Sequence, residues 1–571
     1  MSLALKVQKY IHLGHEYPFF VDGKIIVAVP EKLLTADEAK SLTRSECVQI
    51  LDVIKKAVIR VNSVFRTNEV LILMVFLLKH LKDPELKSLI YEALLEVITN
   101  FNDLTLFLKY RTVMTEASPL PTEAHAETNS ETSEARTETT NENGSPVTTK
   151  THFSIGLRNF LQKWYDKRSV EELTEMIAEH RKLNGWRHKD ILTLAHVKFT
   201  DDVKKKIVDT AFKRGSQLVA ETTDEDAIVK KLVDVCRARM SEDPREVSEI
   251  VSQHKLRFDH LPSALYKSPE VWEKCLPYLR YSELLNCVHI LQDLNLLTSQ
   301  SPLTKKVGFA LGNTKTLKEA KLHPIQLYTE LQLYEHNERY TENVHETHRA
   351  KKVAKLKLIP SKEIVKKLRT AFEQSFDCYP ATGARLIITI DNRHGMYNKK
   401  ILSKHLSKHI TCIEASVIIA LTYLKRERDV KILTFTDEET DPGGIEVLAL
   451  QKSMSFEDAI KFCETRKRKV TLHSLELPWN FAKTKGFKAD VFLTITDSVV
   501  RCAPLGKLPT QEINAYKKAV NMSNVRHIVL GLSNPKRAFE SLGPEEGRIL
   551  EIAGFTSNTA KVMDEYLKRT I

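Results

Sequence analysis

The sequence predicts a mainly α protein that ends in an α/β domain, and three observations predict it. Apolar residues recur at three- and four-residue spacing through two long stretches, residues 1–114 and 151–360, which is the period of one helix face. Short β-rich runs alternate with helical patterns across residues 361–571, the texture of a mostly parallel, doubly wound sheet. Between the helical stretches, residues 115–150 are rich in Thr, Glu, Ser and Asn and nearly empty of large apolar side chains. Such a segment cannot offset the entropy of ordering and is expected to be a disordered insert.

In the first stretch, residues 36–61, 67–81 and 84–107 each keep the helical period. Thr35 with Glu38, and Thr43 with Glu46, have the spacing of capping boxes that start helices. After the insert, Leu157, Phe160, Leu161 and Trp164 mark one helix face and Leu173, Met176 and Ile177 another, leaving Arg158, Lys163, Lys167, Arg168, Arg181 and Lys182 to point outward. Asn184 and Gly185 are expected to end the second helix, because Gly accepts the left-handed cap conformation. Trp186 then anchors the turn. Arg187, His188 and Lys189 fall on the first turn of the next helix, where backbone N–H groups add to the attraction for a phosphate. Basic residues on a helix face are more often a solvated surface, and a Trp such as Trp186 is more often core than stacking platform, so composition alone does not select RNA. Helical units joined by short turns continue to about residue 339, the pattern of stacked hairpins of HEAT type.

Strand-like runs fall at residues 386–391, 431–437, 491–497 and 527–532, with helical patterns at 411–426, 455–468 and 510–521 between them. At least two of these strands end in an Asp, Asp391 and Asp497, at the carboxyl edge where doubly wound sheets place their ligands.

The 571 residues suffice for two or three domains. Lys and Arg number 86 against 74 Asp and Glu, a formal charge of +12 that favours a polyanionic partner, nucleic acid first and an anionic membrane surface behind it. The longest apolar run, residues 70–78, is far short of the roughly 20 residues that span a bilayer. With no signal-peptide pattern after Met1, a soluble, intracellular protein is expected. The 8 cysteines are scattered, without a C-x-x-C pair, which argues against a zinc ribbon or disulfide framework and for reduced core thiols. His345 and His348 stand about a helical turn apart in a polar stretch, where a solvated helix is the better reading than a zinc site. No P-loop, G-x-S-x-G elbow or dinucleotide fingerprint occurs, and Asp441-Pro442-Gly443-Gly444 reads as a turn, so nothing supports catalysis or a cofactor. The basic runs 349–357 and 466–469 are short enough to be solvated surface.

One string carries more. Residues 184–196 read N-G-W-R-H-K-D-I-L-T-L-A-H, and with Trp164-Tyr165, the K-S-P-E-V-W segment at 267–272, His323-Pro324 and the stretch from Pro380 to the strand ending at Asp391, they resemble the Ro ribonucleoprotein family and its TROVE module. The resemblance implies that residues 1–114 and 151–360 are two parts of one helical module closed into a ring, with 115–150 inserted within it. It implies a von Willebrand factor A-like domain at 361–571. It also implies partners: small structured noncoding RNA of the Y RNA kind and the single-stranded ends of misfolded RNA, in RNA stability and quality control, in the cytoplasm and also the nucleus. The candidate RNA-binding residues are Arg158, Lys163, Arg181, Lys182, Asn184, Arg187, His188, Lys189, His196 and Lys198, with His188 the sharpest because it matches the motif directly. Arg187 stands where the family usually has Ser, which removes an N-cap and adds charge. The competing reading is a protein-interaction scaffold, with partners on the carboxyl-terminal domain, that has lost RNA and metal binding.

That second reading draws on the metal site such a domain usually has, D-x-S-x-S after its first strand with a Thr and an Asp from later loops. Here the sequence is Asp391-Asn392-Arg393-His394-Gly395, so Arg393 and Gly395 replace the two hydroxyls. The Thr loop expected between residues 470 and 491 is replaced by Leu475-Glu476-Leu477-Pro478-Trp479, while Asp497 remains. Loss of the metal is expected, with Arg393 supplying the compensating charge or with Asp391 and Asp497 serving only as helix caps.

Overall fold

The computed structural model describes residues 3–13, 19–20, 33–59, 67–115, 153–179, 182–212, 227–336, 359–403, 405–437, 443–469, 474–499, 509–535 and 549–568. Arg181, the insert beyond Thr115, His345 with His348, the basic run 349–357, the Asp441-Pro442 start of the predicted turn and Cys502 lie outside them. The chain divides into two compact units, and in the helical region the break falls between Ser241 and Glu242.

The first unit is built from helices α1 (Arg44–Ile59), α2 (Thr67–His80), α3 (Pro84–Val97), α4 (Phe101–Thr115), α5 (Ile155–Asp166), α6 (Val170–Glu179) and α7 (His188–Ala195), followed by Asp202–Phe212 and Ala227–Met240. The longest apolar run of the sequence lies in α2, where every residue from Val70 to Leu77 is buried, as expected of a helix that is apolar all round. Both predicted capping boxes form. Thr35 Oγ1 accepts from the Glu38 N–H at 3.3 Å while the Thr35 N–H donates to Glu38 Oε2 at 2.7 Å, and Thr43 and Glu46 repeat the exchange. Among the described residues no helix is long and apolar enough to cross a membrane.

In the second unit a seven-stranded sheet runs in the order β1-β7-β6-β5-β2-β3-β4, with β1 Phe19–Phe20, β2 Leu386–Ile390, β3 Val430–Phe435, β4 Ile445–Val447, β5 Val491–Ser498, β6 Arg526–Asn534 and β7 Ile549–Gly554. All neighbours pair in parallel except β3 with β4. Four of these strands match the sequence expectation; β1, β4 and β7 do not, and β1 comes from far outside residues 361–571. The two-residue side-chain period of a strand divides the sheet between two cores. Leu386, Ile388, Ile390, Leu493 and Ile495 join the core that holds helix Cys412–Arg426, while Ile387, Leu433, Phe492 and Val529 join Trp479, Ile513 and Tyr516 on the opposite face. Helices on both faces make the sheet doubly wound. Trp272, Leu303 and Leu331 belong to the first of these cores, so the compact unit begins well before residue 361.

Candidate nucleic-acid interface and sheet-edge site

The motif residues meet inside the first unit. Trp164 and Tyr165, adjacent on α5, are fully buried. The Trp164 Nε1–H donates to the Ile98 carbonyl at 2.7 Å, beside the Arg168 guanidinium, which reaches the same oxygen at 3.1 Å and lies 4.3 Å over the Trp164 ring. Tyr165 Oη shares a 3.0 Å hydrogen bond with His188 Nδ1, and burial pushes its phenol well above its ordinary pKa, so it stays neutral. The His188 ring stacks on Phe101, centroids 3.6 Å apart and planes 17° from parallel. A hydrogen bond and a stacked ring therefore tie α4, α5 and α7 together.

This corrects two sequence expectations. His188 is only 5 % exposed and presents no ring to a phosphate. His188, Ile191, Leu192 and Ala195 are the buried residues of α7, an i, i+3, i+4, i+7 face that was present in the sequence and outweighs the position of His188 on the first turn. Asn184 and Gly185 do not cap the second helix, which ends at Glu179. They form a two-residue hairpin turn with φ of 48° and 88°, closed by the Leu183 and Trp186 backbone groups donating to each other's carbonyls at 2.9 and 2.8 Å. Two successive positive φ values are what a type I′ turn requires and what Asn-Gly supplies. The Asn184 amide then donates to Thr105 Oγ1 at 3.0 Å and to Asn102 Oδ1 at 3.2 Å, fixing the turn to α4.

Around this buried centre lie the cations. Lys163 on α5, Lys182 and Arg187 on either side of the turn, Lys189 on α7 and His196 and Lys198 beyond it are exposed, and Arg158 is half-buried. Arg187 occupies the N-cap of α7 without a side-chain cap, its N–H donating to Asp190 Oδ2 at 3.2 Å. Gln162 clamps the loop after α7 to α5 by accepting from the Lys198 N–H at 2.9 Å and donating to its carbonyl at 2.7 Å. The geometry thus brings Lys163, Arg187, Lys189 and Lys198 onto or beside the packed pair α5 and α7, all four exposed. Phe101 and Tyr165, which hold His188, were not singled out for that role by sequence; only the α5 and α7 periodicities pointed inward.

At the carboxyl edge of the sheet, Asp391 follows β2 and Asp497 lies within β5, both fully buried. The Arg393 guanidinium spans them, Nε 3.0 Å from Asp391 Oδ2 and Nη2 2.6 Å from Asp497 Oδ1. Lys399, which the sequence reading missed, pairs with the other Asp497 oxygen. Thr496 Oγ1 donates to Asp391 at 3.0 Å, and the Arg393 N–H also reaches Asp391 at 3.2 Å. Burial alone would lower the Arg393 pKa, but the two carboxylates outweigh it and hold it above its ordinary value. A divalent cation does not fit these side chains. Gly395 has no oxygen to offer, and a Cβ placed there would lie 2.8 Å from Arg393 Nη1, so the guanidinium fills the space above it. The absence of a side chain at 395 leaves the room that the Arg393 guanidinium takes. The segment in place of the expected Thr loop enters helix Glu476–Lys485, with Trp479 buried against His527, ring centroids 5.1 Å apart. In the basic run 466–469, Arg468 pairs with Glu446 at 3.0 Å and Arg466 lies 3.9 Å over Phe462.

The sheet, parallel apart from β4 and wrapped on both faces, with Asp391 and Asp497 at its carboxyl edge, has the architecture of a von Willebrand factor A-type domain. A family model described as the Ro60 vWA domain matches residues 385–567. The RNA-binding protein RO60 of Caenorhabditis elegans is 22% identical over 460 residues, an alignment covering 73% of this chain and 66% of that protein, so the chain spans slightly less than two thirds of its relative's length. The crystal structure of the RO (RSR) protein of Deinococcus radiodurans superposes with a TM-score of 0.74 over 100% of both chains at 16% identity, a likeness of fold. Residues 385–567 thus match the Ro60 vWA domain, and the chain as a whole is similar to Ro proteins in sequence and in fold.

Proposed function

We propose that this protein binds RNA as the protein component of a ribonucleoprotein, holding small structured noncoding RNA of the Y RNA kind by its phosphates and taking the single-stranded ends of misfolded RNA. The observation that carries this reading is the set of exposed cations, Lys163, Lys182, Arg187, Lys189 and Lys198, arranged around a motif whose members Trp164, Tyr165 and His188 are buried in the core. Helices that display exposed cations suit phosphate contacts, which position a nucleic acid without reading its sequence. The relative from C. elegans is named an RNA-binding protein, which supports the same class of partner. The direct test is recovery of RNA on the full-length protein followed by sequencing: enrichment of small structured noncoding species is expected, and recovery no greater than that of a charge-matched control protein would overturn the reading.

A second reading, a scaffold with protein partners on the A-type domain, is favoured by the Arg393 bridge, since a sheet edge closed by its own cations has left metal-mediated ligand binding behind. The two readings part over RNA, which the scaffold reading holds to be lost, so the RNA recovery experiment separates them.

A further inference from the structure

Helices α2, α3, α4 and α5 enclose a cleft of about 860 Å³ within the first unit, in the size range of about 300–1,000 Å³ typical of ligand sites. None of its residues belongs to the turn at Asn184. Its lining is amphipathic in a particular way. The Tyr91 ring lies along the wall, stacked on Phe160 with centroids 5.8 Å apart and planes 29° from parallel. Ile155, at the amino end of α5, lines the cleft and is 77% exposed at its mouth. The α5 backbone approaches the Tyr91 ring so closely that a Cβ on Gly156 would lie 3.0 Å from it, so the glycine keeps the aromatic wall in place. Around this apolar surface stand Lys79, Lys87, Arg111 and Lys163, against Glu92 as the lining carboxylate. The positive end of the α5 dipole opens at the same mouth, since Ser154 caps the helix there.

We propose that this cleft receives a nucleotide of single-stranded RNA, with the base against Tyr91 and Ile155 and the flanking phosphates on Lys87, Arg111 and Lys163. The inference rests on the RNA-binding reading and specifies a site for it. An apolar floor with an aromatic face and a cationic rim matches the two chemical halves of a nucleotide, and a base offers a π-face whatever its identity, so binding here is tolerant of sequence. An acidic peptide would satisfy the rim and leave the aromatic wall unused. An extended RNA strand satisfies both, because its phosphates repeat on either side of each base.

The test uses the full-length protein and a single-stranded oligonucleotide carrying 4-thiouridine. Irradiation of the complex and peptide mapping are expected to place crosslinks on the segments 84–97 and 155–166. Two substitutions probe the cleft without touching the exposed cations near Asn184. Lys87→Gln removes a rim charge and is expected to make the slope of log affinity against log salt shallower by about 0.7. Ile155→Glu sets a carboxylate in the mouth at an exposed position and is expected to weaken single-strand binding with no change in Tm. RNA binding that persists with crosslinks elsewhere and with both variants unaffected would overturn the cleft while leaving the RNA reading intact. Absence of any RNA binding would overturn both. Displacement of an acidic peptide but not of RNA by these substitutions would also overturn the proposal.

Discussion

Arg393 Nη2 lies 2.6 Å from Asp497 Oδ1, across the mouth of the site where A-type domains hold a metal. Asp391 and Asp497 are fully buried, and without a cation between them their charges would repel in a medium of low dielectric. Arg393→Ala should therefore destabilise the protein by about 3–5 kcal/mol, the usual consequence of removing one partner from a buried ion pair. In the unaltered protein, millimolar Mg²⁺ or a chelator should leave thermal unfolding unchanged. A saturable rise in Tm with Mg²⁺ that Asp391→Ala abolishes would show that the cation competes successfully with the guanidinium.

His188 and Tyr165 share a hydrogen bond within the core, and His188 stacks on Phe101. His188→Ala should lower stability by about 1–3 kcal/mol, because it removes a stacked ring and leaves the buried Tyr165 hydroxyl without that bond. RNA affinity per folded molecule should stay close to that of the unaltered protein. Denaturant unfolding and binding titrations on the same samples separate the effects, and a tenfold loss of affinity with unchanged stability would return His188 to the surface role expected from its motif.

The two kinds of evidence in the sequence were unequal. Periodicity placed α5, α6 and four of the strands, because a buried face leaves a regular mark whatever its partner. It also held the answer for His188, whose spacing to Ile191, Leu192 and Ala195 is that of a buried face, but the motif drew attention to the exposed first turn. Asn184-Gly185 carries a hairpin signal that the flanking helical segments mask. The strand β1, with two residues, is too short for any alternation to register, and Lys399 reaches Asp497 only because the short helix His394–Asn398 folds the chain back over the sheet edge. The Tyr91 cleft joins residues from four helices, a proximity created by packing alone.

The exposed cations make a prediction about salt. Affinity for RNA should fall linearly on log–log axes, with about 0.7 of slope per phosphate contact on single-stranded regions. Replacing Lys182, Arg187, Lys189 and Lys198 together by Gln should flatten that slope and weaken binding across unrelated RNA sequences to a similar extent. Filter-binding or fluorescence titrations at several salt concentrations measure both. An unchanged slope would place the phosphate contacts on another surface.

Acid should destabilise the second unit from an unusually high pH. His323 and His527 are buried, and burial depresses each pKa from 6.5 to about 3. For His323 the nearby Asp564 opposes that shift and Arg426 adds to it; His527 is held neutral beside Thr494, whose hydroxyl lies 2.8 Å from its Nε2. Between pH 3 and 6.5 the unfolded chain binds protons that the folded chain refuses, so stability rises with pH across that window and is lost as pH falls below 6.5. Each histidine contributes a limiting slope of about 1.4 kcal/mol per pH unit. Carboxylates held low by capping, such as Glu46 through its hydrogen bonds from Thr43, respond only below their ordinary value of 4.5, whereas Glu373 and Asp103, raised by burial, gain protons on folding and partly offset the histidines. Chemical denaturation between pH 7 and 5 should therefore show falling stability, and His527→Gln should make the dependence shallower whatever it does to stability at pH 7. A flat profile over that range in the unaltered protein would mean that at least one of these imidazoles takes up its proton without unfolding.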